Sequence, residues 1–262
     1  MNIELPFVVA GLVTGLLVGM TGVGAGAVMT PLLILFFGIV PTVAVATDLW
    51  FAAITKMVGV IIHRRTGQVD WQVVLRLLKG SLPVAILAIY VMSSRMTLLN
   101  TEWLMLVIGL AVLVTSAGLL LAPILGDLAR TYRLTEVNRF KMLQPAMTVL
   151  AGAVIAMLVT LTSVGAGVLG SVALMMLYPL RMTPHRMVAT DLAHAVPLAV
   201  VAGLGYLLAG LVNTALLLNL LLGSLPGVVL GSLLATRMPS RLLQIVLSGF
   251  LMMLGLKAIG KL

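Results

Sequence analysis

Apolar residues in this chain fall in long, nearly uninterrupted runs. Segments 43–62, 73–92, 104–121, 187–208, 214–235 and 242–259 are each mostly apolar, and each approaches the roughly 20 residues a helix needs to cross the hydrocarbon of a bilayer. Four shorter apolar runs, 5–20, 28–40, 147–161 and 168–180, form two pairs, each divided by a glycine-rich break. The pattern predicts an all-α integral membrane protein. No polar stretch is long enough for a separate soluble domain, so any binding has to happen among the membrane helices. A composition of 61% hydrophobic and 9% charged residues agrees, and excludes a water-soluble core.

The runs repeat. Thr21-Gly22-Val23-Gly24-Ala25-Gly26 returns as Thr162-Ser163-Val164-Gly165-Ala166-Gly167, an offset of 162 − 21 = 141. Val45-Ala46-Thr47-Asp48-Leu49 returns unchanged as Val188-Ala189-Thr190-Asp191-Leu192, and Gly80-Ser81-Leu82-Pro83 as Gly223-Ser224-Leu225-Pro226, both at an offset of 143. The change of offset places a two-residue insertion near 179–186, and Gly67-Gln68-Val69-Asp70 aligns more weakly with Gly210-Leu211-Val212-Asn213. Three ordered matches that include Thr, Asp, Ser and Pro mark a duplication. The expected organisation is a first transmembrane repeat at 1–124, a more polar cytoplasmic linker at 125–141 and a second repeat at 142–262. Each repeat holds a glycine-broken short helix pair followed by three transmembrane helices. Whether each pair is a re-entrant hairpin or two tilted helices is open at this stage. Either way an odd number of full crossings follows a pair that returns to its own side, so the two repeats are expected to be inverted.

Charge fits that topology. With the N-terminus outside, Arg64, Arg65, Arg76, Lys79, Arg130, Arg133, Arg139, Lys141, Arg181, Arg186, Arg237 and Arg241 fall inside, and only Arg95, Lys257 and Lys261 outside. The net charge of +9 is therefore read as membrane orientation; its scatter over short loops makes no stripe for nucleic acid. The first residues carry Glu4 and no Lys or Arg through Phe7, so the first apolar run is expected to stay as a helix. With no cysteine and only His63, His185 and His194, no metal site or cofactor is expected.

The candidate chemistry is concentrated at a few positions. Unwound backbone at membrane depth is tolerated where it is buried in protein or lines a cavity. Helices beginning after Gly24-Ala25-Gly26 and Gly165-Ala166-Gly167 would aim free N–H groups and positive dipole ends at an anion. Gly22, Thr21, Thr162 and Ser163 complete this expected substrate site, with the hydroxyls as donors. Close helix packing is the competing reason for these glycines. Asp48 and Asp191 either cap their helices, assisted by the preceding threonine, or take up and release a proton or hold a coupling cation. Lys56 has Ala199 at its matching position and supplies a positive charge for an anion, carries a proton, or pairs with Asp48. His194, one turn after Asp191, either packs or joins it in a proton relay. Pro197 is expected to kink the same helix.

The duplicated glycine break, the repeated Ala-Thr-Asp-Leu and Gly67-Gln68-Val69-Asp70-Trp71 together resemble the sulfite exporter TauE/SafE family of bacterial membrane permeases, over nearly the whole chain. The resemblance implies a multi-pass protein of the bacterial inner membrane that transports sulfite or a related sulfur oxyanion or organosulfonate, often as efflux. Asp48 and Asp191, where other members commonly carry Thr-Ser, and Lys56 set this chain apart within that family. The expectation is a proton-coupled secondary transporter, an exporter of a small anion. Its partners are that anion and the bilayer, and a homodimer is an open option. A passive anion channel, or an intramembrane enzyme using Asp48 and Asp191 as a carboxylate pair, are the alternatives. No Walker-type phosphate loop is present.

Overall fold

A computed structural model describes residues 3–21, 26–64, 69–94, 101–135, 137–235 and 240–260. Among them every regular element is helical: α1 Leu5–Thr21, α2 Gly26–Phe37, α3 Pro41–Arg64, α4 Trp71–Ser94, α5 Thr101–Thr135, α6 Val137–Thr162, α7 Val168–Leu177, α8 Pro184–Leu208, α9 Thr214–Ala235 and α10 Ser240–Ile259. Six stretches of the described residues are long and apolar enough to cross a membrane, one in each of α4, α5, α6, α8, α9 and α10. α6 is longer than its apolar run predicts: its membrane-compatible stretch is Lys141–Thr162. The polar residues at its start are accommodated, since Gln144 donates its side-chain N–H to the Leu177 carbonyl. The segment expected as a linker is helical on both sides of position 136, as the end of α5 and the start of α6. Leu, Ala and Arg are all good helix formers, and the residues after Gly126 include no breaker.

α5 shows how the helices divide between protein and lipid. Leu104, Ile108, Ala111, Val112, Thr115 and Leu119 are buried on one face, whereas Leu106, Leu110, Val114, Leu121, Ile124 and Leu128 are exposed on the other. A helix apolar on its exposed face as well as its buried one belongs in lipid.

The packing repeats with the sequence. α1 lies along α9 and α4 along α6, through glycines that bring backbone against backbone. A Cβ on Gly11 would meet the Leu220 carbonyl, and one on Gly152, its counterpart at offset 141, would meet the carbonyl of Leu77, the counterpart of Leu220. Likewise Gly223 abuts Val8 and Gly80 abuts Val149. α3 and α8, counterparts of each other, cross in opposite directions: the Trp50 indole N–H donates to the Gly203 carbonyl at 2.9 Å, and Thr47, near the start of α3, accepts at 3.2 Å from the N–H of Asn213, just beyond the end of α8. The reciprocal bond also forms, from the Asp70 N–H to Thr190 at 3.1 Å.

Candidate functional site

The second glycine break is a built turn. Thr162 ends α6 with its hydroxyl donating to the Leu158 carbonyl at 2.6 Å and accepting from the Val164 N–H at 3.1 Å. Ser163 (φ 59°) and Gly165 (φ 104°) take left-handed backbone, unusual for serine and natural for glycine. Gly167 then starts α7 with no side chain capping its first turn. Ser163, Ala166 and Gly167 line a cavity closed from other sides by Ala27 of α2, Lys56 of α3 and Ala199 of α8. It holds about one water-sized sphere.

Asp48 and Asp191 lie two turns inside α3 and α8, which begin at Pro41 and Pro184, so neither carboxylate caps its helix. α8 is capped instead by Thr183, which accepts from the Arg186 N–H at 3.3 Å. The threonines of the repeated motif hold the N-cap residues of α4 and α9 by the two reciprocal bonds above, and those caps close their own helices through Asp70 Oδ1 and Asn213 Oδ1. The aspartates are thereby turned inward: Asp48 is 0% and Asp191 2% exposed. Asp48 accepts a 2.5 Å hydrogen bond from Thr30. Lys56, 3% exposed, stands within electrostatic range of both carboxylates and of His194, which meets the Ser81 hydroxyl at 3.1 Å through Nε2. Ala199, the counterpart of Lys56, faces the same cavity; its small side chain makes room for the lysine from the opposing helix.

Asp191 Oδ1 and His194 Nδ1 are buried with no hydrogen-bond partner among the described residues, and Asp48 Oδ1 and Ser163 Oγ, whose side chains neighbour each other, make no bond of good geometry. Buried polar atoms are nearly always paired, and a cluster of unpaired ones is expected where a ligand or proton exchanges. The structure thus brings together Asp48, Lys56, Asp191, His194, Ser163, Ala166 and Gly167. Gly165 shapes the turn, and Thr162 spends its hydroxyl on its own backbone. Of the first break, Gly22, Gly24 and Ala25 lie outside the described residues; Thr21 closes α1 and Gly26 opens α2. Thr30 and Ser81 were not expected from the sequence. The signal available was that both have a hydroxyl counterpart, Ser171 at offset 141 and Ser224 at offset 143.

Two carboxylates, one ammonium and one imidazole enclosed together can hold and exchange protons, and the ammonium and Ser163 can face an anion. Among the described residues no group of three or more His, Cys, Asp or Glu is placed to hold a metal.

The chain matches the family model of sulfite exporter TauE/SafE over residues 7–258. It is 36% identical over 258 residues to Probable membrane transporter protein YjnA of Bacillus subtilis (strain 168), covering 96% of this chain and 98% of that one. A shorter match, 38% over 69 residues, covers 26% of this chain and 25% of Probable membrane transporter protein YunE of the same organism. No solved structure matches. Duplicated glycine breaks, six described helices long and apolar enough to cross a membrane, and a match spanning almost the entire sequence lead to one assignment: this chain belongs to the sulfite exporter TauE/SafE family of multi-pass membrane transporters.

Proposed function

We propose that the chain is a proton-coupled secondary transporter of the bacterial inner membrane that exports a small anion, sulfite or a related sulfur oxyanion or organosulfonate. The observation that carries this reading is the enclosed cluster of Asp48, Lys56, Asp191 and His194 beside the α6–α7 break. In a low-dielectric interior an uncompensated charge is expensive, so the site's total charge is held nearly constant. With both aspartates and Lys56 ionised the cluster has one negative charge in excess. An anion enters such a site most favourably with a proton on a carboxylate or on His194, which makes the two move in the same direction; a doubly charged anion leaving with one proton carries net negative charge outward, the direction the inside-negative membrane potential favours. Ser163, the N–H groups around Ala166 and Gly167, and Lys56 then contact the anion. Thr21, Gly22, Gly24, Ala25 and Gly26 are assigned the matching part from the first repeat, with Gly165 and Thr162 fixing the turn.

Alternating access follows from inverted repeats. The antiparallel crossing of α3 and α8 and the reciprocal threonine bonds support that arrangement, with the cluster near the axis that exchanges the halves. The family description supports sulfite and efflux.

Purified protein in liposomes preloaded with radiolabelled sulfite, thiosulfate or a short sulfonate tests the assignment of Lys56. Parent protein should release at least one of these anions at a rate above protein-free liposomes, and Lys56→Ala should lower that rate at least tenfold, as expected for loss of about 1.4 kcal/mol or more of anion interaction. Equal rates in parent and variant would remove Lys56 from the site.

A further inference from the structure

Away from the central cluster, a cleft of about 460 Å³ opens between the start of α4, the start of α6 and the loop after α7. Its polar lining is Arg76, Lys141, Gln144, Tyr178 and Arg181. Tyr178, 1% exposed, accepts at 3.2 Å from Arg76 and shares a 2.9 Å hydrogen bond with Thr148, so the Arg76 guanidinium is held in position. Arg181 and Arg186 share one carboxylate, Asp70, at 2.7 and 3.1 Å. Neither Arg76 nor Lys141 has an acidic partner within ion-pairing distance among the described residues. Four cations against one carboxylate leave this end strongly positive.

The duplication supplies an internal control. The counterpart of Arg76 at offset 143 is Asn219, which accepts from the Glu4 backbone N–H. The counterparts of Thr148 and Tyr178 at offset 141 are Phe7 and Phe37, whose rings pack together at 4.8 Å. The same framework is therefore filled with aromatic carbon in one repeat and with a hydrogen-bonded, basic cleft at the corresponding positions of the other. Membrane orientation requires positive charge on one side but does not require a buried tyrosine to seat an arginine in a cavity.

We propose that this cleft is a second anion site, taking a tetrahedral oxyanion with Arg76 and Lys141 as its main contacts and Gln144 and Arg181 at its rim. That chemistry is offered by a phospholipid phosphate, since basic pockets between membrane helices bind acidic head groups, and by a free anion gathered before transport. The site is independent of the central cluster, so its failure leaves the transport proposal standing.

Calorimetric titration of the detergent-purified full chain decides it, with four probes: short-chain phosphatidylglycerol, short-chain phosphatidylcholine, inorganic sulfate and inorganic phosphate. The parent should bind phosphatidylglycerol or the inorganic anions, and Arg76→Gln with Lys141→Gln should weaken that binding at least tenfold. The charge-matched pair Arg130→Gln with Arg241→Gln, exposed residues outside the cleft, should leave it within twofold. Phosphatidylglycerol binding alone identifies a lipid site, and sulfate or phosphate binding identifies a free-anion site. Parent binding to none of the oxyanions, or equal loss in both double variants, would overturn the proposal.

Discussion

Thr30 holds one oxygen of Asp48, while the other makes no bond of good geometry, with the Ser163 side chain as its polar neighbour. A hydrogen bond to a charged group is worth about 1.5–3 kcal/mol, and leaving the carboxylate buried without it adds to the cost. Thr30→Ala should therefore lower the unfolding free energy by about 1–3 kcal/mol, read as a fall in thermal midpoint in detergent, whereas Thr30→Ser should retain most of it. An unchanged midpoint in Thr30→Ala would mean the bond is not made. The sequence pointed to Asp48, Asp191, Lys56 and His194 because ionisable residues inside apolar runs stand out. It did not show which threonine or serine serves each, since hydroxyls also satisfy themselves on their own helix, as Thr14, Thr55 and Thr115 do here.

Glycine crossings set how closely the helices approach. Gly80 sits against the Val149 carbonyl, so Gly80→Ala forces two backbones apart; overpacking of this kind costs about 1–3 kcal/mol. Gly249 on α10 has open space where a Cβ would go, so Gly249→Ala should be neutral or raise stability by up to about 1 kcal/mol through helix propensity. Thermal unfolding of the two variants should move in opposite directions or by clearly different amounts; equal shifts would deny that the glycines act through packing. Element boundaries were legible where glycine or proline punctuates the chain: Pro41 and Pro184 open α3 and α8. They were less legible at α5 and α6, where helix formers continue past the apolar run, and at Asp48 and Asp191, which look like caps only when the helix is started at its first long apolar stretch.

At the scale of the molecule, swapping each helix for its counterpart carries the α1–α9 contact onto α6–α4, α5–α7 onto α10–α2, and α3–α8 onto itself. Three short identities are what the expectation of a duplication rests on. The partners across the halves were not readable, because repeat matches say which residues correspond and nothing about which ones touch. The proposed inversion of the two repeats predicts opposite sidedness for corresponding positions. Gln72 and Ala215, counterparts at offset 143, are both exposed, and the chain has no cysteine of its own. Gln72→Cys and Ala215→Cys should react with a membrane-impermeant maleimide from opposite sides of the membrane in spheroplasts and inverted vesicles. Labelling of both from one side would rule out inversion.

Coupling of anion movement to protons through the enclosed carboxylates is the central claim, and gradient-driven uptake tests it most directly. Proteoliposomes given an acidic exterior should accumulate radiolabelled sulfite, thiosulfate or a short sulfonate with the parent protein, and Asp191→Asn should abolish that accumulation while still exchanging labelled for unlabelled anion. Accumulation that proceeds unchanged in Asp191→Asn, or that ignores the pH gradient in the parent, would contradict the account.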